Sequence, residues 1–157
     1  MYTLKRLSSQ NTHLWDEVLT QCPDTNAFHS GAWRVALENS FNQLVPTYYL
    51  IKENNSFIGG LPAFVFQPIP GIKMFHSMPW NLFGGMQLID EISVEIDSLI
   101  ESVETQLHET IGEENLCETV FTLSPTQTTT YGQRLTEVGY QKYKTFFTHR
   151  LKTSVDY

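Results

Sequence analysis

The sequence predicts an α/β (α+β) domain: one mixed, largely antiparallel sheet flanked by helices on both faces. Three observations carry that expectation. Two apolar stretches, Pro46 to Ile51 and Phe57 to Gln67, face each other across the turn Glu53-Asn54-Asn55-Ser56 and read as a β-hairpin. A segment from Glu91 to Ile111 places Ile92, Ile96, Leu99, Ile100, Val103, Leu107 and Ile111 at helical spacing, with acidic residues on the other face. The order of elements sets a meander of strands before helix-linked strands, which packs as a sheet covered by helices. The 157 residues fit a single domain, 1–157, with no internal repeat or low-complexity linker.

Each element has a local cause. Tyr2 to Leu7 alternates as a first strand. A helix runs from Asn11 or Thr12 to about Gln21, with Leu14, Val18 and Leu19 on one face, and Cys22-Pro23-Asp24 ends it. A second helix spans about Ser30 to Phe41, with Ser30 as N-cap and Trp33, Leu37 and Phe41 at i, i+4 and i+8. Gly59, Gly60 and Pro62 interrupt the second hairpin arm and mark a bulge or a close backbone approach. Pro68 to Gly71 turns the chain into a strand over Ile72 to Ser77. Asp90 caps the long acidic helix, which Gly112 stops. Thr119 to Leu123 reads as a buried strand and Thr126 to Val138 as a helix weakened by Thr128 to Thr130. Tyr140 to Leu151 closes the chain as a long strand with Lys142, Lys144, Arg150 and Lys152 on one face, read either as a charged protective edge or as an anion-binding strand.

Composition narrows the function. Net charge is −7, and no Lys or Arg cluster offers a surface for a phosphate backbone, so DNA is not an expected partner. Ten of the seventeen acidic residues fall between Asp90 and Glu118. Cys22 and Cys117 make no metal-ligand set, and His108-Glu109 lacks the second histidine of a zinc helix, so no metal is expected. There is no signal peptide pattern and no apolar run long enough for a membrane span, which points to the cytoplasm. Phosphate-loop, nucleophile-elbow and dinucleotide fingerprints are missing. His13, His29, His76 and His149 are scattered and read as packed or solvated histidines.

Three separated pieces resemble a known family: "NAFHSGAWRVALENSF" (Asn26 to Phe41), "PTYYLIKENNSFIGGLPAFVF" (Pro46 to Phe66) and "FHSMPWNLFGGMQL" (Phe75 to Leu88). Together they are similar to the first lobe of FemAB-type proteins, the peptidoglycan interpeptide-bridge aminoacyltransferases and their acetyltransferase-like relatives. The matching positions are Phe28, Ser30, Trp33, Gly59, Leu61, Pro62, Ser77, Pro79, Gly84 and Gly85. The resemblance implies a GNAT-like fold and transfer of an acyl or aminoacyl group to an amine, such as one on a cell-wall precursor. It implies no bound cofactor, with acyl-CoA or aminoacyl-tRNA as donor. Ser30, Pro62, Pro79, Gly84 and Gly85 are expected to shape the lobe.

Members of that family carry a second lobe, whereas this sequence runs to Tyr157 and lacks the Gly-rich acyl-CoA pyrophosphate loop. Two expectations follow: a single-lobe homodimeric transferase, or a non-catalytic binding module that partners another chain bearing the second lobe. Within the lobe, Arg34 beside Trp33 is placed to pair with a substrate phosphate or carboxylate. Ser77, Trp80 and Asn81 follow a strand, where donors can face a cleft, and Ser124 occupies a similar strand end. No residue is singled out from sequence as the catalytic base.

Overall fold

The computed structural model describes residues 1–8, 11–89, 94–112 and 116–143. The chain runs β1 (Tyr2–Arg6), α1 (Thr12–Leu19), α2 (Gly31–Ser40), β2 (Leu44–Pro46), β3 (Tyr49–Glu53), β4 (Ser56–Leu61), β5 (Phe64–Ile69), β6 (Ile72–His76), β7 (Gln87–Leu88), α3 (Ile96–Ile111) and β8 (Leu116–Val120). A last helical stretch, α4, is α-helical over Pro125–Gln127, widens to a π turn over Thr128–Gly132, and is α-helical again over Gln133–Glu137.

The expected hairpin is the spine of the molecule, and Pro62 bends it. Leu44↔Phe66 and Pro46↔Phe64 pair in β2 and β5, Thr47 N donates to Ala63 O at 2.8 Å, and Tyr49↔Leu61 resumes the ladder in β3 and β4. Proline has no N–H to give, so the ladder breaks there. The two halves then recruit different neighbours. One sheet has the order β1-β3-β4-β7, and the other β2-β5-β6-β8. The single sheet read from sequence is therefore two four-stranded sheets sharing one long bent hairpin. All pairings are antiparallel except β6 with β8, which is parallel.

Each face carries its own core. On one side α3 buries Leu99, Ile100, Val103, Leu107 and Ile111 against Tyr49, Ile51, Leu61 and Phe75. On the other, α1 and α2 bury Trp15, Val18, Leu19 and Leu37 against Tyr48, Leu50 and Phe64. Trp15 is fully buried and packs against the bare backbone of Gly60, where a Cβ would collide with its ring. Ser30 caps α2, its Oγ accepting from Trp33 N at 3.2 Å. Cys22 is buried among these residues, which pushes its thiol up to about 11 and keeps it protonated.

Several boundaries differ from the sequence reading, each for a tertiary reason. The long helix begins at Ile96, not Glu91, because Glu95 N donates to Tyr2 Oη at 3.0 Å and the chain is still extended there. Asp90, its expected cap, lies outside the described residues. β8 spans Leu116–Val120 rather than Thr119 to Leu123, since its register is set by parallel pairing with Lys73 to His76. The short β7 was not foreseen; it pairs with Gly59 and Gly60 of β4. The threonine run produces the π turn, each of Thr128, Thr129 and Thr130 bonding back to the carbonyl four residues earlier. Tyr140 to Tyr143 form no strand, and the rest of the expected last strand, with Lys144, Arg150 and Lys152, lies outside the described residues. No helix among the described residues is long and apolar enough to cross a membrane.

Candidate functional site

The segment from Ser77 to Gly85 is bound on both sides. Ser77 N donates to Val120 O at 2.9 Å, and Ser77 Oγ accepts from Thr122 N at 2.9 Å. Gly84 N and Gly85 N both donate to Thr122 O, at 2.8 and 3.3 Å. The glycine pair is a matter of space: a Cβ on Gly84 would strike Met78, and one on Gly85 would strike Tyr131 and Gln127. From the opposite side, His29 Nε2 donates to Phe83 O at 2.6 Å. Its Nδ1 accepts from Asn26 N at 3.1 Å, which fixes the neutral Nε2–H tautomer.

So tethered, the segment forms one wall of a cleft of about 280 Å³. Pro79 and Trp80 line it together with Phe64, Phe66, His76, Gln43 and Leu44. Trp80 sits in the turn Pro79–Asn81 with φ of 54°, a left-handed conformation that bulky side chains rarely adopt. Its ring is 53 % exposed and leans on Phe41, centroids 4.6 Å apart. Strain of this kind persists where surrounding structure enforces it, and it clusters at ligand sites.

His76 is the titratable side chain that lines this cleft. It ends β6, pairs with Phe64 across the ladder, and shares a sheet face with Glu118 of β8. Its Nε2 is buried and has no hydrogen-bond partner among the described residues; Glu118 Oε2 lies 3.9 Å away. Phe66 meets the imidazole edge-on at 5.0 Å. Burial lowers the His76 pKa below 6.5, and the Glu118 carboxylate opposes that shift. The ring is therefore neutral near pH 7, and its buried Nε2 has no hydrogen-bond partner among the described residues. That is the condition of a proton acceptor.

Of the residues expected from sequence, Trp80 lines this cleft and Asn81 closes its turn. Arg34 lies behind the wall: its guanidinium sits 5.5 Å over the Tyr48 ring, which meets Phe64 at 5.5 Å. Trp33 packs edge-on against Phe28 at 5.1 Å. Ser77 is fully buried and bridges β6 to the chain after β8. Ser124 is buried as the N-cap of α4, accepting from Gln127 N at 3.2 Å and donating to Asp24 at 2.9 Å. The sequence reading passed over His76, Glu118, Gln43 and Phe66. One signal was present: His76 is the last residue of a strand, directly before an unusual aromatic turn.

Comparison with known proteins identifies the architecture. An aminoglycoside acetyltransferase from an uncultured soil metagenomic sample superposes with a TM-score of 0.61 at 13% identity, covering 97% of this chain and 99% of that one. The chain has the GNAT acetyltransferase fold. An aminoglycoside N-acetyltransferase solved with CoA gives a TM-score of 0.57 at 10% identity over 97% of this chain and 95% of that one. A predicted acetyltransferase from Clostridium acetobutylicum, solved with acetyl-CoA, gives 0.55 at 13% identity over 96% of each chain. No family model matches the sequence, and no curated protein matches it either.

At the start of α3, the helix that follows β7, the described residues do not fit a CoA pyrophosphate. Such a group needs converging amides at a helix start. Here Glu95 N is already held by Tyr2 Oη, and Glu95 and Asp97 bring carboxylates to the same turn. Among the described residues no cluster of His, Cys, Asp and Glu forms a metal site.

Proposed function

We propose that the chain transfers an acyl group to an amine in the cleft between Trp80 and His76. The observation that carries this reading is the buried, unengaged Nε2 of a neutral His76, 3.9 Å from Glu118. An amine attacks only with its lone pair available. As the nitrogen bonds to the acyl carbon, His76 takes its proton, Glu118 stabilises the resulting imidazolium, and the donor's oxygen or sulfur leaves with the bonding pair. Phe66 and Trp80 present aromatic faces that favour an arriving ammonium group.

The resemblance to FemAB-type first lobes supports a finer version, in which the acceptor is the amine of a cell-wall precursor and a second lobe comes from a partner chain or a second copy. For the donor, the acidic start of α3 disfavours CoA phosphates there, and the net charge of −7 gives little grip on a tRNA backbone. The donor is thus held chiefly through its activated acyl group. The same features favour the rival reading, a non-catalytic binding module.

Steady-state transfer to a lysine-bearing peptidoglycan precursor peptide decides between them, with acetyl-CoA and aminoacyl-tRNA tried as donors. The expected result is turnover with one donor and a His76→Gln variant slowed about 10²–10⁴-fold in kcat with little change in KM. Failure with both donors, or full activity in His76→Gln, replaces the enzyme with the binding module.

A further inference from the structure

A second cleft, of about 400 Å³, opens on the other face of the same strands. The pleat explains the separation. Phe64 and His76 are register partners and face α2, whereas Val65 and Lys73 face α3. The two clefts come together around the β2 end of the sheet, where Gln43 and Phe66 line both.

The charged residues in the described lining of this second cleft are opposite in sign to the net charge of the chain. Acidic residues outnumber basic ones by 17 to 10 overall. Yet Arg6 from β1 and Lys73 from β6 both line the cleft, and no carboxylate is among its described lining residues. Lys73 Nζ donates to Ile111 O at 3.0 Å, which anchors the ammonium at the end of α3 and leaves it two further N–H donors. Thr47, Gln67 and Thr110 add neutral hydrogen-bonding groups around an apolar floor that includes Val65. The volume suits a small molecule.

We propose that this cleft binds an oxyanion, carboxylate or phosphate, carried by a small ligand with an apolar body. Arg6 provides the planar fork that such a group accepts, and Lys73 a fixed second charge. The proposal stands independently of His76: a ligand can occupy this face whether or not the other cleft transfers acyl groups.

Amide chemical-shift titration of the whole chain at low ionic strength tests it, with inorganic phosphate in one arm and acetate in the other. The expected result is saturable shifts at Val45, Gln67 and Thr110 in at least one arm, and the arm with tighter binding names the oxyanion. Arg6→Gln should weaken binding at least about fivefold, and about 0.5 M NaCl should weaken it in the parent chain. His76→Gln should leave it unchanged, so failure here is separable from failure of acyl transfer. Lys73→Gln also removes an anchor of α3, so Arg6→Gln, on an exposed strand position, is the deciding variant. Absence of saturable shifts in both arms, or binding unaltered in Arg6→Gln, overturns the proposal; shifts spread over many surface amides without saturation show an adventitious ion only and overturn it as well.

Discussion

His29, bonded to Phe83 O, and His76, directly before Ser77, both border the segment from Ser77 to Gly85, yet they are withdrawn histidines of opposite kinds. Both have pKa values lowered by burial. His29 is fully buried, with one nitrogen accepting from Asn26 N and the other donating to Phe83 O. Nothing is left over for a ligand, and the ring serves as a clamp. His76 is only partly covered and lines a cleft, and its buried Nε2 has a carboxylate at 3.9 Å and no hydrogen-bond partner among the described residues. A buried polar atom without a partner is unfavourable for folding. Where it borders a cavity, a ligand is the natural means of satisfying it. The state of the second nitrogen, rather than burial itself, separates the clamp at His29 from the role proposed for His76.

The largest effect that can break this comparison is on stability. His29→Ala strands Asn26 N and Phe83 O and leaves a cavity beside Trp15, whose Nε1 donates to the His29 carbonyl at 2.7 Å. Unfolding in urea should show a loss of about 3 kcal/mol. His76→Gln should cost less than about 1 kcal/mol, because no hydrogen bond to Nε2 is lost. Equal losses at the two positions would make His76 a packing residue.

A smaller effect follows from pH. The folded-state pKa of each ring lies below its unfolded value of 6.5. As pH falls through 6.5 the unfolded chain takes up the protons first, so these rings contribute their full stability above that pH and lose it progressively below. Each ring contributes at most about 1.4 kcal/mol per pH unit to that slope. Urea midpoints between pH 7.5 and 5 should fall, and His29→Ala should flatten the profile more than His76→Gln. An unchanged profile in His29→Ala would contradict the clamp. In the proposed transfer reaction, Glu118→Gln removes the carboxylate that raises the His76 pKa, so the acid limb of kcat should move to lower pH.

The contrast also explains what the sequence made legible. Spacing alone located α3, because a long amphipathic run repeats its signal at every turn. Ser30 was readable as a cap for a similarly local reason. The hairpin could be seen but not its division into two sheets, since the break at Pro62 matters only through the strands that each half recruits. Site residues were the hardest to read. Ser77 and Ser124 stand in loop-like positions, yet their hydroxyls are committed to Thr122 N and to Gln127 N and Asp24. His76 looks like any alternating strand residue until β8 brings Glu118 beside it, across more than forty positions of sequence. Trp80, which lines the cleft, stood out in sequence because its neighbours are unusual: a proline before it and a Gly-Gly pair soon after.

Trp80 offers the finest test. At φ of 54°, replacement by glycine relieves a backbone strain of roughly 1 kcal/mol or more. It also removes the ring leaning on Phe41 at 4.6 Å, a contact worth about 0.5–1.5 kcal/mol beyond area burial. These contributions nearly cancel, so Trp80→Gly should change the free energy of unfolding by less than about 1 kcal/mol. Its mark should instead appear in KM for the amine acceptor, raised about tenfold by loss of an aromatic wall. An acceptor KM left unchanged by Trp80→Gly would assign the strained turn to folding, and would leave His76 facing a cleft with no recognition element opposite it. A raised KM with unchanged stability would place the strain at the ligand, on the same side of the comparison as His76.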